Sequence, residues 1–232
     1  MRQPNRVPLA HLPTPIHRLK NLSASLGIEL WTKRDDLTGL AFGGNKTRKL
    51  QWMVQDAVEK NATVLITTGA PQSNHCRQTA AAANVAGMKC TLVLGGNGSR
   101  EQTGNLLLDH LLGADIHWLD QGDRFERMNE LAAELRLKGE RPYVIPLGGS
   151  NGIGAASYIE AVHELADQIE TPFDCMLFAT SSGGTQTGLA AGVCEFGWNT
   201  KVIGISVEHS SGQVKAIIAG IWRNAFEAWG RE

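Results

Sequence analysis

The sequence predicts an α/β fold with a mainly parallel sheet and helices on both faces. Three observations carry that prediction. Short apolar, β-branched runs alternate with stretches whose apolar residues recur at helical spacing. Most of these runs are bounded by Gly, Asp or Pro, as strand ends often are. The chain has 232 residues, enough for one large or two small domains with a substantial core.

Taken in order, the N-terminal stretch MRQPNRVPLAHLPTP has prolines at 4, 8, 13 and 15 and no apolar run of the signal-peptide kind. The first strand is expected at Glu29–Lys33. A helix follows, because Leu50, Met53, Val54, Ala57 and Val58 fall at i, i+3, i+4, i+7 and i+8. Strand Thr63–Thr68 leads into an alanine-rich helix, Ser73–Ala86, which Gly87 ends. Strand Lys89–Leu94 precedes helix Leu106–Leu112, which Gly113 ends in the same way. Strands Asp115–Leu119 and Pro142–Pro146 come next, then helix Asn151–Ile169. Strand Asp174–Thr180, helix Gly184–Phe196 and strand Lys201–Val207 continue the alternation. Ile217, Ile218, Ile221, Trp222, Ala225, Phe226 and Trp229 read as one packed helix face. No repeat or linker marks a domain boundary.

Composition narrows the function. The 22 Lys and Arg against 23 Asp and Glu give a net charge of −1, which argues against electrostatic binding to nucleic acid or a membrane. No apolar run approaches the roughly 18 residues of a membrane-spanning helix. Cys76, Cys90, Cys175 and Cys194 show no CxxC spacing, so neither a disulfide framework nor a zinc site is expected, and a cytoplasmic location is the default. The seven histidines show no HExxH or HxH pattern, so no metal is expected.

Ligands of open α/β sheets bind outside the carboxyl ends of the strands, so the loops after strands carry the chemistry. In Gly43-Gly44-Asn45-Lys46-Thr47-Arg48-Lys49-Leu50, Asn45 can cap the following helix. Three cations then sit in its first turn, where the helix dipole disfavours them. The dipole and the neighbouring cations should lower the pKa of Lys46, which suits a Schiff-base lysine. The alternative is a solvated basic turn. In Gly69 to Gln78, Ser73 or Asn74 can cap a helix whose free N–H groups suit a carboxylate or phosphate. The alternative there is a plain cap with His75 packed. In Ser181-Ser182-Gly183-Gly184-Thr185-Gln186-Thr187-Gly188, small residues and hydroxyls at a strand-to-helix turn suit a phosphate. That loop is neither a Walker A loop nor GxGxxG, and a tight glycine turn is its alternative. Ser150 in Gly148-Gly149-Ser150-Asn151-Gly152 is not a GxSxG elbow, and the stretch reads as a hinge.

Six ordered stretches together resemble the pyridoxal-phosphate-dependent family of D-cysteine desulfhydrase and 1-aminocyclopropane-1-carboxylate deaminase. They are Leu12-Pro13-Thr14-Pro15, Lys33-Arg34-Asp35-Asp36, Gly43 to Leu50, Gln72 to Gln78, Ile145 to Asn151, and Ser182-Gly183-Gly184-Thr185. The resemblance implies three-layer parallel-sheet domains of the tryptophan-synthase-β-like fold, fold type II. It implies a smaller domain at 48–152 and a larger one from 1–47 and 153–232. By the same resemblance, Lys46 bonds the cofactor covalently and Asn74 hydrogen-bonds its phenolic oxygen. Ser182, Gly183, Gly184 and Thr185 cup its phosphate. Ser73 is the active-site serine near the substrate carboxylate, with Asn74 and His75 also toward substrate.

The implied reaction turns D-cysteine into pyruvate, ammonia and hydrogen sulfide. The sibling reaction opens aminocyclopropane carboxylate to 2-oxobutanoate and ammonia. The desulfhydrase-like members carry Ser-Asn-His where the deaminases carry Ser-Asn-Gln, so His75 leans toward D-cysteine. A small amino acid and a homodimer are the implied partners. The likeness is expected to stop after Val207. Members of the family typically run about a hundred residues further, so the fold is expected to be incomplete at the C-terminus. A truncated relative that binds cofactor without turnover is the remaining alternative.

Overall fold

Strand–helix alternation resolves into two separate parallel sheets. The computed structural model describes residues 6–95 and 98–229, with side chains through Asn224. Strand β1 (Ile16–Arg18), helix α1 (Lys20–Leu26) and strand β2 (Trp31–Lys33) come first. The expected strand at Glu29–Lys33 is therefore shorter, and it pairs antiparallel with β1 outside both parallel sheets. Helix α2 (Lys46–Glu59) precedes β3 (Val64–Gly69), α3 (Asn74–Val85), β4 (Lys89–Gly95), α4 (Gly104–Leu111) and β5 (Asp115–Leu119). Helix α5 (Arg124–Leu137), β6 (Pro142–Val144) and α6 (Gly152–Ala166) follow. Strand β7 (Cys175–Thr180), α7 (Gly184–Glu195), β8 (Lys201–Ser206) and α8 (Ser211–Trp229) complete the chain.

The first parallel sheet has the order β5-β4-β3-β6, with Leu65 opposite Cys90 on one side and Tyr143 on the other. Alternation along its strands separates two cores. Leu65, Leu92 and Leu94 pack with Leu50, Met53, Val54 and Ala57 of α2 and with Cys76, Ala80 and Ala83 of α3. Val64, Ile66 and Val93 point the other way, onto Met128, Leu131 and Ala132 of α5. Each buried Leu, Ile, Val or Met among them contributes about 1.5–3 kcal/mol on burial.

Helix α5 was not expected from the sequence, although its signals are present. Asp123 caps it by accepting from the Phe125 and Glu126 N–H groups. Met128, Leu131, Ala132 and Leu135 supply the apolar stripe.

The second sheet pairs β7 with β8 in parallel, Cys175 opposite Lys201 through Thr180 opposite Ser206. Helices α6, α7 and α8 pack on one another beside it. Its other face leaves Leu177, Ile203, Ile205 and Val207 exposed. On α8, Val214 and Ile221 are buried, and Ile217, Ile218 and Trp222 are half-buried. The Ala225, Phe226 and Trp229 side chains of the expected face lie outside the described residues. Among the described residues, no helix is long and apolar enough to cross a membrane.

Candidate active site

The backbone just before α2 is wound into an unusual turn. Ala41 and Phe42 take φ of 43° and 69°, and Gly43 and Gly44 take 71° and 132°. A non-glycine residue held there costs about 1–3 kcal/mol and persists only where its surroundings impose it. Here they do. The Gly43 carbonyl accepts from Arg77 Nη2 at 2.6 Å and Gln78 Nε2 at 2.7 Å. Thr38 Oγ1 bonds both the N–H and the carbonyl of Gly44 at 2.9 Å. The turn is clamped to α3 at the point where it presents Lys46.

The three cations of this turn have three different environments, and none is a solvated basic patch. Arg48 is 2% exposed and is gripped by Asp35 and Glu164, with Thr14 also accepting from it. Burial works against the Glu164 carboxylate, but Arg48 and Lys33 outweigh it and hold its pKa at about 2. Lys49 is 1% exposed and donates to the Gly148 carbonyl at 3.1 Å and Ser150 Oγ at 3.3 Å. Among the described residues, Lys46 donates only to Asn45 Oδ1, at 3.3 Å. Burial lowers its pKa to about 8. The direction matches the sequence expectation, but the cause is desolvation rather than the dipole or neighbouring charges.

Asn45 does not cap α2 with its side chain, contrary to expectation. Its amide oxygen instead accepts from both Lys46 Nζ and Asn74 Nδ2, each at 3.3 Å. Ser73 is the cap of α3, its Oγ accepting from the Cys76 N–H at 3.2 Å. Ser73, Asn74 and Lys46 are thus joined beyond the carboxyl end of β3. His75 is 2% exposed, with Nε2 2.9 Å from Thr67 Oγ1. Burial, then the charges of Lys46 and Lys49, push its pKa down to about 3, so the ring is neutral. It is packed under the site and presents almost no surface.

The serine–glycine loop at the start of α7 closes the other side. Ser182 Oγ lies 2.7 Å from Ser150 Oγ, which also accepts from the Gly184 N–H at 3.2 Å. Gly183 takes φ of 76°, and a Cβ there would lie 2.8 Å from Ile217 of α8. The 148–152 stretch, expected to be a hinge, is part of this wall. A Cβ on Gly148 would lie 2.5 Å from Ser182 Oγ and 3.6 Å from Lys46 Cε. Glycine there lets the loop pass between the lysine and the serine. Sequence reasoning missed Ser150 and Lys49 as members of the site. The available signal was a Gly-Gly-Ser-Asn run just after a strand. Tyr158 was also missed. Its hydroxyl lies 3.0 Å from both Asp35 Oδ2 and the Asn45 carbonyl.

The arrangement offers a partly buried amine, with no carboxylate partner among the described residues, beside an oxygen- and amide-rich helix N-terminus. Those parts fit a small aldehyde that carries a phosphate. A family model described as "Pyridoxal-phosphate dependent enzyme" matches residues 7–225. The chain belongs to this family.

Its relatives narrow the subfamily. A protein of Pyrococcus horikoshii, provisionally named a 1-aminocyclopropane-1-carboxylate deaminase, is 44% identical over 87% of this chain and 62% of its own length. A D-cysteine desulfhydrase of Klebsiella pneumoniae is 41% identical over 92% of this chain and 68% of its own. A crystal structure described as an ACC deaminase homologue superposes with TM-score 0.92 and 40% identity, covering 98% of this chain and 70% of that one. A pyridoxal 5'-phosphate-dependent aspartate racemase, at TM-score 0.67 and 20% identity, shares the fold. The chain therefore spans less than two thirds of the length of the archaeal relative. The expectation that the likeness stops after Val207 is overturned, since the family match runs through most of α8.

Proposed function

We propose that this chain is the cofactor-holding body of a pyridoxal-phosphate-dependent lyase acting on a small amino acid, in the manner of D-cysteine desulfhydrase. The observation that carries the reading is Lys46, a desolvated amine with no carboxylate partner among the described residues, beside Asn74 and Ser182. At pH 7.5 a lysine of pKa about 8 is about one-quarter neutral, against about one in a thousand at the ordinary value. It can therefore attack an aldehyde and later take a proton.

In this reading Lys46 would hold pyridoxal phosphate covalently, Asn74 its ring hydroxyl, and Ser182, Gly183, Gly184 and Thr185 its phosphate. In the same reading 48–152 would be the smaller domain and 1–47 with 153–232 the larger, with the site between them. Bound there, the cofactor supplies an electron sink for charge developing at the substrate Cα. Lys46 Nζ accepts the Cα proton. The Ser73 hydroxyl and Asn74 amide orient the substrate carboxylate. His75 backs this wall as a neutral ring. Net, D-cysteine and water give pyruvate, ammonia and hydrogen sulfide. A cytoplasmic setting suits the free thiols, Cys76 and Cys90 buried and Cys175 and Cys194 exposed.

A second reading, aminocyclopropane carboxylate to 2-oxobutanoate and ammonia, is favoured by the names of the Pyrococcus relative and the superposing crystal structure. Visible absorption with added pyridoxal phosphate, for wild type and Lys46→Ala, tests both. A Lys46-dependent band that changes with D-cysteine while pyruvate appears supports the first reading. A change and 2-oxobutanoate with aminocyclopropane carboxylate supports the second. A Lys46-dependent band with neither product makes the chain a binder without turnover. No band refutes the cofactor site.

A further inference from the structure

Asn45 stands at the start of α2 and does not do what its place suggests. An asparagine there ordinarily caps the helix with its side chain, and this one makes no such bond. Its Oδ1 is turned instead to two donors, Lys46 Nζ and Asn74 Nδ2, each at 3.3 Å. A carbonyl oxygen carries two lone pairs, so one oxygen serves both. The backbone that aims it is fixed from two sides. The Asn45 carbonyl accepts from the hydroxyl of the buried Tyr158 on α6 at 3.0 Å. One residue earlier, Thr38 Oγ1 bonds both the N–H and the carbonyl of Gly44 at 2.9 Å. Tyr158 is itself set by the crossing of α6 and α7, where a Cβ on Gly188 would lie 2.5 Å from the Tyr158 Cβ. The ionisable groups that face Lys46 are Lys49 on α2 and His75 on α3. The 148–150 stretch and the start of α7 bring the uncharged Gly148 and Ser182. A carboxylate beside the amine would favour its protonated form, and an amide oxygen holds it without that effect.

We propose that Asn45 is a positioning residue for Lys46, whose neutral amide oxygen aligns the amine with Asn74 and adds no charge that would keep the amine protonated. Tyr158 fixes the backbone from which that oxygen is aimed. The inference rests on the reading of Lys46 and Asn74 as cofactor partners for its purpose, and on the contacts alone for its geometry. It explains why an asparagine at a helix start leaves the helix uncapped. It also gives the Tyr158 hydroxyl a task in the site, although that hydroxyl touches neither Lys46 nor Asn74.

Trace labelling of Lys46 with acetic anhydride, followed against pH by mass spectrometry, tests it on the full chain after hydroxylamine has removed any bound aldehyde. Borohydride-trapped capture of pyridoxal phosphate on Lys46 is the second readout. Asn45→Asp keeps the shape and the acceptor and adds a charge. The wild-type labelling midpoint is expected at about pH 8. In Asn45→Asp it is expected about one to two units higher. Asn45→Ala removes the acceptor and adds no charge. Its midpoint is expected to stay within about half a unit of wild type, while capture slows about tenfold because the amine is no longer aligned. An unmoved midpoint in Asn45→Asp overturns the proposal. An equal rise in both variants also overturns it, since that would report solvent entering a loosened site. Capture at the wild-type rate in Asn45→Ala overturns it as well. If Asn45→Asp does not fold, the midpoint and the capture rate of Asn45→Ala decide alone. A wild type that captures cofactor, with the Asn45→Asp midpoint unmoved, keeps the cofactor reading and loses this inference. A wild type that captures none, with the midpoint raised in Asn45→Asp alone, refutes the cofactor reading and leaves the neutral contact between Asn45 and Lys46 standing.

Discussion

The two parallel sheets are built from similar strand sequences and end in different surroundings. Every residue of β3 is buried, with α2 and α3 on one face and α5 on the other. Along β7 and β8 exposure alternates instead, and the outward positions include Leu177, Ile203 and Ile205. Parallel sheets as a rule are covered on both faces. The contrast teaches that the two halves of the candidate site have unequal support. The Lys46–Ser73–Asn74 half is anchored on a doubly covered sheet. The Ser182–Thr185 half rests on a singly covered one, steadied by α8 against Gly183.

The sharpest test compares truncations on the two sheets. Leu92→Ala, at a site with no exposure, should cost about 2–5 kcal/mol in denaturant unfolding. Ile205→Ala, 55% exposed, should cost well under half of that. Equal costs would break the comparison and show that the open face is covered in the working protein.

Next in size is Glu164→Gln, expected to cost about 1–3 kcal/mol at neutral pH because it removes one of the two carboxylates that hold the buried Arg48. Folding holds the Glu164 pKa at about 2, below the ordinary 4.5. Its contribution is therefore full above the ordinary value and lost as pH falls from there toward about 2. The variant's acid-unfolding curve should be flatter over that window, and an unchanged curve would count against the buried network.

Gly183→Ala should cost about 1–2 kcal/mol from the left-handed backbone alone. The added methyl would also push Ile217 off the loop, so phosphate-bearing ligands should bind more weakly. Isothermal titration with pyridoxal phosphate checks this, and unchanged affinity would separate α8 from the site. Smallest is Leu177→Lys on the open face, expected to shift stability by no more than about 0.5 kcal/mol. A large destabilisation there would again mean that the face is occupied.

Much of the fold was legible. Ser73 caps α3 as expected, and Gly87 and Gly113 end helices with φ of 67° and 74°. The strands after which the site residues lie were found because β-branched runs between glycines have few other uses. Helix α5 was missed because its stripe is short and charged residues surround it. The open face of β7 and β8 could not be foreseen, since those strands read as apolar as the buried ones. In the site, Lys46, Ser73, Asn74 and Ser182 were picked out by motif. Ser150 and Lys49 were passed over because a serine after two glycines and a lysine after an arginine have no fixed meaning in one dimension.

By itself the sequence determined most of the strand–helix alternation, the Ser73 cap and the glycines that end α3 and α4. Those are local matters, decided by side chains within a few residues of each other. Only the tertiary structure decided what each cation of the turn does. Arg48 is neutralised by Asp35, 13 positions away, and by Glu164, 116 positions away. Lys49 is buried against a loop 99 positions away. Among the described residues, Lys46 has no carboxylate partner. Desolvation and ion pairing depend on what distant parts of the chain bring to within a few ångströms, so charge state is a property of the packed molecule.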